Sequence, residues 1–249
     1  DSSKHILLNN LESLKILNIK HDQYQESINF SSNDYSEIKN KLKKKGIDRF
    51  IIFHPSAQYN YKVYSQNLRD KLLNLLNNLE ISVVITGGNN EIDLKIKNEI
   101  PRLTNIYNFI GETSLKDYFI LSELAIAYIG MDTLNMHIAA SQNKRIFAIF
   151  GPTKLSMWSP WSNHLKSATS LNKPIQTYGR NTIFQSSLPC EVCGKVGCGN
   201  NHGITELPYA IDPKVIFNET KDWLLKSKDI AEIPVLKEAK YKPRKILLY

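Results

Sequence analysis

Between residues 49 and 150 the chain alternates short, wholly apolar runs with longer stretches whose apolar positions recur at helical spacing. The apolar runs are "RFIIFH", "SVVIT", "IYNFI", "AIAYIG" and "RIFAIFG". Runs this short, apolar at consecutive positions, predict strands buried on both faces. The segments between them, "VYSQNLRDKLLNLLNNL", "EIDLKIKNEI", "SLKDYFILSEL" and "LNMHIAASQ", predict amphipathic or buried helices. Strands that alternate with helices in this way form a parallel sheet with helices on both faces, a doubly wound Rossmann-like α/β domain.

Outside that block the pattern is weaker. "NNLESLKIL" predicts a short leading helix. "SNDYSEIKNKLKKKGI" predicts a second, with Ser32 or Asn33 as its cap and Gly46 as its stop. After Pro160 the chain reads as loop-rich, until Asp212 caps and Pro213 opens a final helix, "PKVIFNETKDWLLKS". The expected organisation is a leading helical and linker segment over 1–45, a Rossmann-like domain over 46–228 that carries a Cys-rich loop at 189–203, and a basic tail over 229–249. There is no internal repeat.

Composition narrows the functional classes. The 249 residues are ample for a buried core, and 42% hydrophobic with 22% charged residues is ordinary for a globular protein. No run of eighteen apolar residues argues for a spanning helix, and "DSSKHILLNN" lacks the pattern of a signal peptide. A formal net charge of +8 suits nucleic acid, anionic membrane surfaces or phosphorylated small molecules. The lysines are scattered, however, except in "KNKLKKK", which fits the solvated side of a helix. Three cysteines, Cys190, Cys193 and Cys198, crowd into nine residues. An odd, clustered set is not a disulfide framework and predicts a reducing, cytoplasmic compartment.

A doubly wound sheet binds ligands beyond the carboxyl ends of its strands. That rule selects the loops 54–63, 86–91, 111–114, 130–134 and 150–158. In the first, Ser56 and Ala57 allow close backbone approach and Lys62 supplies a countercharge for an anion. The second pairs Gly87 and Gly88 with Glu91, a carboxylate suited to sugar hydroxyls. The third offers Thr113 or Ser114 as a helix cap. The fourth brings Asp132 and Thr133 to a strand-to-helix turn, where free N–H groups favour anions, with His137 five residues beyond Asp132. Gly151, Pro152 and Thr153 form the fifth, followed by Trp158 and Trp161 as core or pocket wall.

In order and spacing, "FHPSA…K", "VVITGG…E", "FIGETSLKDYFILSELAIAYIGMDT…MHIAAS" and "IFAIFGPT…W" resemble glycosyltransferase family 9, the bacterial heptosyltransferases of lipopolysaccharide core assembly, over residues 50 to about 225. The resemblance implies a lobe of the GT-B architecture and an inverting transfer of a heptose, or a related sugar, from an ADP-sugar to a lipopolysaccharide or lipooligosaccharide core acceptor. It implies no metal requirement for transfer and a cytoplasmic location, with peripheral contact at the inner membrane. By the same resemblance Ser56, Ala57 and Lys62 would face the diphosphate, Glu91 the adenosine ribose and Thr113 the adenine. Asp132, Thr133 and His137 would face the diphosphate and sugar. The chain departs from the family in carrying Leu134 where a glycine is usual and Ser56 where glycine or threonine is usual. Residues 1–45 do not resemble the family's N-terminal acceptor lobe, so the expectation is a chain without that lobe, inactive alone.

"CEVCGKVGCGNNH" spaces Cys190, Cys193, Cys198 and His202 as three thiolates and an imidazole, a set suited to tetrahedral structural zinc. Two other classes therefore stand beside the transferase. One is a sugar-nucleotide-binding protein that does not catalyse transfer. The other is a zinc-knuckle protein that binds nucleic acid, which the absence of an aromatic-rich recognition strand disfavours.

Overall fold

The computed structural model describes residues 3–19, 30–185 and 211–229. In chain order the elements are α1 (Ile6–Ile16), α2 (Ser32–Lys44), β1 (Phe50–His54), α3 (Gln66–Leu76), β2 (Ser82–Ile85), α4 (Glu91–Glu99), β3 (Ile106–Asn108), α5 (Leu115–Leu124), β4 (Ala127–Met131), α6 (Leu134–Ser141), β5 (Arg145–Phe150), α7 (Leu155–Trp158), β6 (Ile175–Tyr178), β7 (Asn181–Gln185) and α8 (Pro213–Asp229). A 3-10 turn at Asn60–Lys62 follows β1.

One seven-stranded sheet runs in the order β3-β2-β1-β4-β5-β7-β6. Every neighbouring pair is parallel except β6 with β7. The expected Rossmann-like α/β fold is therefore present. The chain moves outward from β1 to β3 on one side and from β4 onward on the other, so β1 and β4 are adjacent and the winding reverses between them. Their register sets Phe53 beside Ile129 and His54 beside Gly130.

The continuous apolar runs follow from burial on both faces. Phe50 and Ile52 of β1 pack with Ile38 and Leu42 of α2, Leu121 of α5 and Met136 of α6. Ile51 and Phe53 pack on the opposite face with Leu72 and Leu76 of α3, Ile96 of α4 and Ile216 of α8. Because successive side chains point to opposite faces, a strand sandwiched between helix layers must be apolar at every position. Each such side chain, fully buried, contributes about 1.5–3 kcal/mol.

Three features differ from the expectation. First, α2 was assigned to the leading segment that ends at residue 45. Ile38 and Leu42 instead bury in the same cluster as β1 and β4, so α2 is part of the domain's cover. Second, the cap of α2 is Ser31, whose hydroxyl accepts from the N–H of Asp34 at 3.2 Å, rather than Ser32 or Asn33. The expected stop, Gly46, does take the left-handed conformation, at φ +72°. Third, the stretch after Pro160 holds two strands. β7 is buried throughout yet carries Asn181, Thr182 and Gln185, which breaks the apolar pattern. Its polar groups are partly met inside the fold: Asn181 Nδ2 donates to the Pro160 carbonyl at 3.1 Å, and Thr182 Oγ1 accepts from Arg145 Nη2 at 2.6 Å.

The α1 helix buries no residue of its own. Its cap, His5, anchors it: Nδ1 accepts from the Leu7 N–H and Nε2 donates to the Ser159 carbonyl at 2.7 Å. Among the described residues no helix is long and apolar enough to cross a membrane.

Candidate functional site

A cavity of about 730 Å3 opens at the carboxyl ends of the strands, over the point where the winding reverses. All five predicted loops contribute to its lining, the fifth through Trp158 at the end of α7.

Of the eight residues proposed as donor-binding, seven line this cavity: Ser56, Ala57, Lys62, Thr113, Asp132, Thr133 and His137. Ser56 and Ala57 are buried. Lys62 Nζ lies 3.2 Å from Asp132 Oδ2, with 23% and 7% of the two side chains exposed. This pair joins the loop after β1 to the turn after β4.

The eighth, Glu91, stands exposed on the first turn of α4 and does not line the cavity. The carboxylate of that turn which does is Asp93, 4% exposed. Asn90 determines this geometry. As the cap of α4 its side-chain oxygen accepts from the Asp93 N–H at 3.0 Å, and its amide nitrogen donates back to Asp93 Oδ2. Asp93 Oδ1 sits 2.7 Å from where a Cβ on Gly87 would stand, so only glycine leaves room for the carboxylate there. The signal for Asp93 was in the sequence: Asn90 three residues before an acid is a capping pattern.

His54, Thr86, Tyr118 and Asn135 also line the cavity and carried no sequence assignment. Burial pushes the His54 imidazole down to about 4; the Asp93 carboxylate and a hydrogen bond at Thr86 oppose that without reversing it. His137 is also lowered, first by burial, against the pull of the Asp132 carboxylate and with help from His5 and Lys62. Its ring lies 6.3 Å from that of Trp158. Burial raises the Tyr118 hydroxyl well above its ordinary value.

Three helices, α4, α5 and α6, begin at this cavity, and their ends differ. α4 is closed by Asn90 and has Glu91 and Asp93 in its first turn. α5 is closed by a reciprocal box: Ser114 Oγ accepts from the Asp117 N–H at 3.1 Å, and Asp117 Oδ2 accepts from the Ser114 N–H at 3.0 Å. α6 has no side-chain cap bond at Thr133 and no acidic residue in its first turn. The first N–H groups of a helix lack partners within it. At α6 the Met136 N–H turns back to the Thr133 carbonyl at 3.1 Å, and no side chain caps the N–H groups of Leu134 and Asn135, which lie in the turn that Lys62 reaches through Asp132. With the Asp132 carboxylate engaged by Lys62 and no side chain on the helix N–H groups, an anion is less opposed at α6 than at the other two.

The candidate zinc ligands Cys190, Cys193, Cys198 and His202, which a metal-free loop would equally explain, lie outside the described residues.

Comparison with known proteins agrees with this architecture. Lipopolysaccharide heptosyltransferase 3 of Escherichia coli strain K12 is 26% identical over 165 residues, which cover 65% of this chain and 48% of that protein. The structure of E. coli ADP-heptose LPS heptosyltransferase II matches with a TM-score of 0.61 at 18% identity, over 85% of this chain and 57% of that one. The glycosyl transferase family 9 structure from Veillonella parvula DSM 2008 matches with a TM-score of 0.66 at 17% identity, over 90% and 60%. The chain spans about half the length of the curated relative it matches. Residues 3–186, most of the chain, match the profile of Glycosyltransferase family 9 (heptosyltransferase), and the chain belongs to that family.

Proposed function

We propose that this chain forms the nucleotide-sugar-binding lobe of a glycosyltransferase that moves a heptose from ADP-heptose onto a lipopolysaccharide core acceptor. The observation that carries the reading is the open first turn of α6 beside Lys62, in a cavity whose two other helix ends are already closed by side chains. A diphosphate seated there receives helix N–H groups and the Lys62 ammonium. The same groups stabilise the negative charge that develops on the departing diphosphate, and this supplies the electrostatic part of catalysis without drawing on a metal. An inverting displacement further needs the acceptor hydroxyl to approach from the opposite side of the sugar and a base to take its proton as the bond from the sugar to the diphosphate breaks. The nucleoside would extend over Gly87 and Gly88 towards Thr113, and the sugar would lie towards His137 and Trp158. Family membership supports the reaction class, and a matched E. coli structure carries ADP-heptose in its own description. The net charge of +8 suits work beside an anionic membrane surface.

Calorimetric titration with ADP, UDP and ADP-heptose tests the reading. Preference for the adenine nucleotides, reduced in Lys62→Ala and in Asp132→Ala, is the expected result. Equal affinity in wild type and both variants overturns the assignment of the site.

A further inference from the structure

The open end of α6 has to be held by something other than a cap. The helix is only eight residues long, and although Met136 buries in the core, its first residue, Leu134, is 59% exposed, so apolar packing holds the first turn from one side only. Short helices without caps fray at their ends. Asn135 adds a polar tie on the other side. Its side-chain Nδ2 lies 3.2 Å from His54 Nδ1, and its backbone carbonyl accepts from the Tyr118 hydroxyl at 3.3 Å. Thr86 Oγ1 stands 3.0 Å from the same His54 nitrogen. His54 ends β1 and Tyr118 lies in α5, so two separate elements meet the second residue of α6, and Thr86, which follows β2, stands against His54.

With the Asn135 amide nitrogen turned towards it, His54 Nδ1 accepts, and the ring proton then resides on Nε2. A doubly protonated ring would set two donors against each other. Burial, which keeps the imidazole neutral, removes that conflict.

We propose that His54 is a positioning residue: as a neutral imidazole with its proton on Nε2, it holds Asn135 and thereby the first turn of α6 in the conformation that presents open N–H groups to an anion. This rests on the reading above that the donor diphosphate sits on α6.

The test combines amide hydrogen exchange on the ligand-free protein with ADP titration. His54→Leu removes the acceptor, whereas His54→Asn supplies an amide oxygen in place of Nδ1. His54→Leu is expected to speed exchange at residues 133–137 by about tenfold or more and to weaken ADP by about tenfold, the equivalent of one lost hydrogen bond. The core amides of β1 and β4 should stay protected, and His54→Asn should restore both readouts. Asn135→Ala breaks the same bond from its partly exposed side and should reproduce the loosening even if His54→Leu folds poorly. In labelled wild-type protein, imidazole nitrogen shifts should report a proton on Nε2. Unchanged exchange at 133–137 in both His54→Leu and Asn135→Ala, loosening without rescue by His54→Asn, or a proton on Nδ1 would overturn the proposal. Wild-type protein that binds no ADP while the exchange pattern appears as expected would overturn the functional reading and leave the positioning role standing.

Discussion

Acidification from pH 7.5 to pH 5 is expected to destabilise this lobe through one buried side chain. His54 has its imidazole pushed down from 6.5 to about 4, chiefly by burial. The folded state therefore binds the proton less readily than the unfolded chain. A base whose folded value is lowered contributes stability that is complete above its ordinary value of 6.5 and is lost as pH falls from there through about 4. A fall from 6.5 to about 4 corresponds to about 3 kcal/mol in total, of which about 2 kcal/mol is lost by pH 5. His5 and His137 are lowered as well, so the whole protein loses more than His54 alone accounts for. The measurement is therefore a difference. Urea unfolding of wild type and His54→Asn, run at pH values between 7.5 and 5, isolates the His54 contribution. Wild type should lose about 2 kcal/mol more than the variant over that range. Parallel loss in the two proteins would refute the argument that burial keeps this histidine neutral.

Three further expectations concern the cavity. Lys62→Ala should weaken ADP by about ten- to a hundredfold, as expected for loss of a charge-assisted bond, measured by calorimetry, and unchanged affinity would place the diphosphate elsewhere. Gly87→Ala drives a Cβ to 2.7 Å from Asp93 Oδ1 and 3.1 Å from an Ile110 methyl group, and should cost about 1–3 kcal/mol in urea unfolding. Wild-type stability in that variant would mean that Asp93 is free to withdraw. Leu134→Gly removes an exposed side chain from the mouth of the anion site; it should cost no more than about 1 kcal/mol of stability and should tighten ADP binding, whereas weaker binding would show that Leu134 is a contact and not an obstruction.

The parts of the fold that sequence pattern revealed are those where a single physical demand acts. β1, β4 and β5 are buried on both faces, and apart from His54 at the end of β1 and Arg145 at the start of β5 each appears as an unbroken apolar run. β7 is buried as deeply but meets a second demand. Its polar positions are satisfied by partners distant in the chain, such as Arg145 for Thr182, and no local pattern announces such partners. The same distinction separates the site residues. Ser56, Lys62 and Asp132 were legible because the fold class dictates which loops matter. Asn135 was not, because its importance arises from contacts with β1 and α5 that exist only in three dimensions. Glu91 and Asp93 mark the boundary between the two cases. Both are acids in the first turn of α4, and the choice between them is made by Asn90, whose side chain turns Asp93 inward and leaves Glu91 in solvent.

The way each helix begins also explains how one cavity can orient a ligand of mixed character. Had α4, α5 and α6 all been open, a diphosphate could have settled at any of three positive ends. Side chains neutralise two of them, with Asn90 and Asp93 at α4 and Ser114 and Asp117 at α5. Those same caps furnish hydrogen-bonding groups at the end of the cavity where a nucleoside would lie. The remaining positive end is reinforced by Lys62, and Lys62 is held by Asp132, which itself belongs to the turn that opens α6. On the proposed reading, cap chemistry, more than the count of charges, would give the ligand its direction. The consequence can be tested at a single position. Thr133→Asp would close α6 with the same kind of side chain that closes its neighbours, and it should abolish preferential binding of diphosphates while leaving the fold intact, because the substituted residue already occupies the cap position with extended backbone. Retained ADP affinity in Thr133→Asp, measured by calorimetry on protein of unchanged thermal stability, would show that the open helix end does not select the anion.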